Sequence, residues 1–203
     1  MKNVLILGAA GLSATAIIPR LLQQADVKLT LFARPGKKLP VQENERIRII
    51  KGDALNEADM KQAVAGQDIV ISTLGGMDLA EKTENIVRAM RQAGVPRLVV
   101  MSAGGIYDEL PEPFNSWDRS VVGHTRPTNL RTAEIAEQSG LQYTVLRPVW
   151  LNNREVEDFV LTQKGETYIG KETSRASIGR IVAEIVTNPA LHANQNLGIS
   201  QAH

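Results

Sequence analysis

The chain has 203 residues, of which 43% are hydrophobic, and its 23 basic side chains nearly balance 22 acidic ones for a net charge of +1; cysteine is absent. That length suits one domain over residues 1–203, able to bury roughly 70% of its unfolded surface without staples. The balanced charge offers no field to collect nucleic acid or an anionic membrane, and the missing thiols exclude disulfides, thiolate metal sites and cysteine nucleophiles.

His124, His192 and His203 are scattered, and no two stand at a ligand spacing, so no metal is expected. Met1-Lys2-Asn3 leads straight into an apolar run too short for a signal segment, and no later run reaches about 18 apolar residues. A soluble, cytoplasmic protein is expected.

Short apolar runs alternate with longer helical patterns, the arrangement of a parallel sheet covered by helices on both faces. The first predicted strand, Asn3 to Leu7, ends in Gly8-Ala9-Ala10-Gly11-Leu12-Ser13-Ala14. A pyrophosphate needs a strand that stops abruptly, an unobstructed turn, and free N–H groups at a helix start. Gly8 would permit the turn, Ala10 and Gly11 the close approach, and the N–H groups of Leu12 and Ser13 would face the phosphates. The usual G-x-G-x-x-G fingerprint is only partly matched, and a glycine pair after a buried strand also serves as a plain tight turn. The following helix, Leu12 to Gln24, has Ile17, Ile18, Leu21 and Leu22 on one face, with Pro19 expected to kink or shorten it.

The second strand, Lys28 to Ala33, ends at Arg34, where a bound dinucleotide would place its adenosine ribose. An acid there suits a free 2′-hydroxyl, whereas arginine grips a 2′-phosphate, so the residue favours NADP(H) over NAD(H). Lys37 and Lys38 add charge, although such clusters are ordinarily solvated surface. The third strand, Ile47 to Lys51, is followed by Gly52, Asp53 and Ala54; Asp53 is a candidate acceptor for the adenine amino group and equally a turn-forming residue. Asn56 caps a helix that ends at Ala65-Gly66.

The fourth strand, Ile69 to Ser72, leads into Thr73, Leu74 and Gly75, small enough to let a ribose pass near the backbone. A helix over Thr83 to Ala93 precedes the fifth strand, Leu98 to Met101, whose terminal Ser102 either faces the crevice or satisfies local backbone. A helix over Thr132 to Gln138, a strand over Tyr143 to Leu146, a helix over Ser177 to Thr187 and a late strand near Leu197 to Ile199 complete the pattern. Two long connections, 103–129 and 150–171, follow strands and are expected to wall a substrate pocket.

The GAAGLSA motif, Arg34, Gly52-Asp53, Ser72-Thr73-Leu74-Gly75, Ser102, the stretch Ser139 to Pro148 and Ser174-Arg175-Ala176-Ser177 resemble an atypical short-chain dehydrogenase/reductase of the NAD(P)H-binding, NmrA-like group, whose small members include flavin and biliverdin reductases. The resemblance spans nearly the whole chain. It implies a Rossmann-type doubly wound parallel α/β sheet of order 3-2-1-4-5-6, with room for a seventh strand, and an NADP site to which Arg131 and Pro148 would also contribute, although Arg131 reads almost as well as a surface residue of its helix.

The resemblance implies no reaction by itself. Reductases of the wider superfamily use a Tyr-x-x-x-Lys pair, in which lysine lowers the tyrosine pKa and tyrosine protonates a carbonyl. Here Tyr107 is followed four residues on by Pro111, Tyr168 by Glu172, and Tyr143 by Arg147 in a strand that would hold the two about 13 Å apart. Substrates that take hydride into a conjugated system, such as flavins, quinones or linear tetrapyrroles, avoid the need for a tuned tyrosine. Ser102, Tyr107 and His124 are the candidate proton donors, and Trp150 a candidate stacking surface or packing anchor. The expectation is an NADPH-dependent reductase of a flat small-molecule acceptor, acting as monomer or homodimer. The rival is an NADP(H)-binding redox sensor without turnover.

Overall fold

A computed structural model describes residues 1–202. In chain order the elements are β1 (Lys2–Leu7), α1 (Leu12–Leu22), β2 (Val27–Ala33), β3 (Ile47–Lys51), α2 (Glu57–Val64), β4 (Ile69–Ser72), α3 (Leu79–Ala93), β5 (Arg97–Met101), α4 (Phe114–Val122), α5 (Arg126–Gln138), β6 (Gln142–Pro148), β7 (Leu151–Asn152), β8 (Val160–Thr162), β9 (Thr173–Ser174), α6 (Arg175–Thr187) and β10 (Gln195–Ser200).

The main sheet has the order β3-β2-β1-β4-β5-β6-β10-β8. The expected 3-2-1-4-5-6 core is present, β10 is the seventh strand and runs parallel to β6, and β8 closes the edge antiparallel to β10. Alternation within each strand splits the core into two layers. Val4 and Ile6 of β1 pack with Ile17, Ile18 and Leu21 of α1 and Ile178 and Ile181 of α6. Leu5 and Leu7 point the other way, into Met60 of α2, Ile86 and Met90 of α3 and Ala133 of α5. Helices α1 and α6 approach so closely that a Cβ on Gly179 would stand 2.5 Å from the Ala16 carbonyl oxygen.

Several boundaries differ from the sequence reading. Helix α1 runs through Pro19 but stops at Leu22, two residues short of expectation. Helix α3 begins at Leu79, not Thr83, with Asp78 at its N-cap. Helix α5 begins at Arg126, not Thr132, because Pro127 occupies the first turn, where its missing N–H costs nothing. The connection read as a loop over 103–129 contains α4, joined to α5 by a 3-10 turn over Gly123–Thr125. The connection over 150–171 contains β7 and β8, strands of two and three residues that carry no periodic signal and exist only through pairing.

Candidate functional site

The carboxyl ends of β1, β2 and β4 and the residues after β3 surround a cleft of about 290 Å³. Gly8 lies at φ +83°, and a Cβ there would meet Thr73 Oγ1 at 2.9 Å, so the β1 turn needs glycine on both conformational and steric grounds. Thr73 holds this crossing by donating its hydroxyl to the Leu7 carbonyl at 3.0 Å. Gly8→Ala is expected to lower stability by about 1–2 kcal/mol, read as a fall in thermal midpoint. An unchanged midpoint would contradict the strain assigned to that turn.

Gly11 caps α1 with ordinary backbone angles, so its missing side chain serves approach, not conformation. No side chain caps this helix and no acid stands in its first turn. The N–H groups of its first turn are left to an outside acceptor, and the helix dipole favours an anion there.

Arg34 is exposed at the cleft lip and forms no ion pair or side-chain hydrogen bond among the described residues. Opposite it, Lys82 of α3 donates to the Gly75 carbonyl at 3.1 Å and to Asp78 Oδ1 at 2.6 Å. The Lys82 ammonium holds the Asp78 carboxyl below its ordinary value, with Arg34 adding a weaker pull. Arg34 therefore offers a free guanidinium, while Lys82 is already partnered.

The cleft brings together Gly8, Ala10, Gly11, Arg34, Asp53, Ala54, Thr73, Leu74 and Gly75. Sequence reasoning missed Phe32, Ala33 and Lys82 in its wall. Lys82 was hidden because α3 starts one turn earlier than its periodicity indicates; Asp78 and Lys82 at i, i+4 were the available signal. Asp53 lines the cleft and accepts the Leu55 N–H at 3.0 Å, a local turn bond made through one of its two carboxylate oxygens. Leu12 and Ser13 stand at the start of α1 beside the cleft rather than in its wall.

Other candidates are placed elsewhere. Ser102 is buried at the β5 end, and its hydroxyl donates to the Asn129 carbonyl at 2.9 Å, the local role that had been the alternative. Pro148 ends β6, and its carbonyl accepts from Gly104 N–H at 2.9 Å. Arg131 does not reach the cleft: it lies on the outer face of α5, paired with Glu84 of α3 and Glu134. His124 is exposed on the 3-10 turn.

Tyr107 is also kept from the cleft. Its hydroxyl accepts from Asn196 Nδ2 at 3.0 Å, flanking β10, and Lys164 Nζ stands 4.9 Å from its ring centroid. The cause is a buried ion pair between Glu109 and Arg147 that pulls the 103–113 segment over β6 and β10. Arg147 also donates to Asn196 Oδ1 at 2.7 Å, and Tyr168 donates its hydroxyl to the Arg147 carbonyl at 2.6 Å. Burial pushes the Tyr168 pKa up, which keeps that hydroxyl a donor.

A parallel sheet of this order, with a glycine turn and an uncapped helix start at the first crossover, defines a Rossmann-type dinucleotide-binding protein. The chain belongs to the NAD(P)H-binding family, whose pattern matches residues 8–189. A solved Rossmann-fold NAD(P)-binding family protein from Shigella flexneri is 37% identical, with TM-score 0.86 over 99% of this chain and 94% of that one. A short-chain dehydrogenase/reductase from Veillonella parvula, solved in complex with NADP, is 25% identical, with TM-score 0.91 over 98% of this chain and 94% of that one. An uncharacterized chloroplastic protein of Arabidopsis thaliana is 24% identical over 200 residues, 90% of this chain and 71% of the relative. No helix among the described residues is long and apolar enough to cross a membrane.

Proposed function

We propose that this protein is an NADPH-dependent reductase that transfers hydride to a flat, conjugated small molecule such as a flavin or quinone. The observation that carries the cofactor choice is the unpaired Arg34 at the cleft lip, where a guanidinium suits a 2′-phosphate. Gly8 and Gly11 admit a pyrophosphate to the free N–H groups of α1, Thr73 to Gly75 let a ribose run close to the backbone, and the wall at Asp53 and Ala54 receives the adenine. A bound reduced dinucleotide supplies the hydride.

The chain's own contribution is orientation and exclusion of water. Ser102 spends its hydroxyl proton on the Asn129 carbonyl, and Tyr107 stands against Asn196 of β10 outside the cleft, which favours an acceptor that delocalises the incoming charge and takes its proton from solvent. Purified protein is expected to consume NADPH with FMN or a quinone, followed by loss of NADPH absorbance. Cofactor binding with complete inertness across a broad acceptor panel would refute the reductase reading.

A further inference from the structure

Two tryptophans, the only ones in the chain, stand together where β6 and α4 meet solvent. Trp150 comes two residues after β6 ends, and its backbone lies in the left-handed region at φ 32°, which bulky side chains rarely adopt. Its indole N–H donates to Asp118 Oδ1 at 2.8 Å. Asp118 is 3% exposed, and its other oxygen accepts from Arg126 Nη2 at 2.6 Å. Arg126 in turn donates to Asp108 at 2.7 Å, so a chain of charged hydrogen bonds fixes the indole.

Trp117 of α4 packs on Trp150 with ring centroids 4.7 Å apart, and on Phe114 at 5.6 Å. A packing anchor hides its ring, yet Trp117 is 49% exposed and Trp150 36%. Along α4, Phe114, Trp117 and Val121 at i, i+3 and i+7 continue the same apolar stripe. Strain at Trp150, an orientation locked from beneath and ring surface left in water are together the marks of a surface kept for a ligand. The stripe belongs to the ligand side of the sheet: β6 lies two strand spacings, about 10 Å, from β4, whose end lines the dinucleotide cleft.

We infer that Trp117 and Trp150 form the stacking shelf for the acceptor, and that the ligand class is a planar, multi-ring conjugated molecule. This rests on the reductase reading for its physiological meaning, but the shelf binds or fails to bind independently of turnover. Aromatic surface recognises a conjugated plane through contact with its whole face, which a bare aliphatic pocket does not reproduce.

The test combines binding and kinetics on the full chain. FMN emission, quenched by contact with an indole, is titrated with native protein, Trp117→Ala and Trp117→Phe in the presence of NADP+, and the same titration is run with a naphthoquinone by competition. Trp117→Ala is expected to weaken FMN binding about tenfold and raise the KM for FMN by a similar factor. The KM for NADPH should stay unchanged, and Trp117→Phe should recover most of the loss. Unaltered FMN affinity in Trp117→Ala overturns the shelf, as does native protein that binds neither probe. A Trp117→Ala variant that reduces FMN as well as the native protein removes the shelf and leaves the reductase reading, whereas tryptophan-dependent FMN binding without any NADPH consumption does the reverse. A dimer that dissociates in Trp117→Ala while FMN affinity is unaltered would assign the stripe to a second copy of the chain and overturn the proposal.

Discussion

Arg34→Glu is expected to weaken NADPH binding about 100-fold while changing NADH binding by less than about threefold. The native guanidinium has no carboxylate partner among the described residues, so nothing inside the protein competes for it. Two charge-assisted hydrogen bonds to a 2′-phosphate are together worth about 3 kcal/mol, close to a hundredfold in affinity. Glutamate removes them and adds repulsion against a dianion, partly screened at this exposed position. Lys82 cannot replace the lost cation, because Asp78 already holds it at 2.6 Å. Lys37 lines the same cleft and will retain part of the attraction, which limits the loss. Titrations with both dinucleotides on native and variant protein decide the matter, and an intact NADPH preference in Arg34→Glu would move the 2′-phosphate site elsewhere.

Glu109→Ala is expected to destabilise the fold by about 3–5 kcal/mol, the usual consequence of stripping one partner from a buried ion pair. Arg147 has no exposed side-chain surface and Glu109 has 2%. One guanidinium nitrogen of Arg147, Nη2, already lacks a partner in the folded chain, so the loss of Glu109 would leave the charge with even less compensation. Glu109 also accepts the backbone N–H groups of Gly105 at 3.2 Å and Tyr107 at 2.8 Å, so the same substitution opens the segment that follows β5. For a chain of this size the thermal midpoint should fall by roughly 10 °C. The paired replacement Glu109→Leu with Arg147→Met should recover much of that, since it removes both charges together. A loss below about 1 kcal/mol in Glu109→Ala would show that the pair does not hold the 103–113 segment in place.

What could be read from the sequence was set by how local its cause is. The turn after β1 depends on residues within one crossover, and Gly8 at φ +83° is where an unbranched backbone is required. The parallel sheet followed from alternation of short apolar runs with helices, its strand order came with the family resemblance, and even the seventh strand was visible in Leu197 to Ile199. Arg34 could be placed because it directly follows β2. By contrast, the position of Tyr107 depends on Glu109 meeting Arg147 38 residues away and on Asn196 89 residues away, pairings no local pattern announces. Arg131 pairs with Glu84 of α3, 47 residues away, another contact outside the reach of a local pattern. Trp117 carries no local signal in a segment whose glycines and prolines indicate a loop; only the helix α4 gives it the i, i+3 relation to Phe114.

The most direct test of the account is the binding of NADPH and NADH to the native protein, measured side by side under the same salt. The cleft built from Gly8, Gly11 and the unpaired Arg34 predicts saturable binding of both, with NADPH tighter by about 30-fold or more. Equal affinity for the two, or no binding of either, would contradict it.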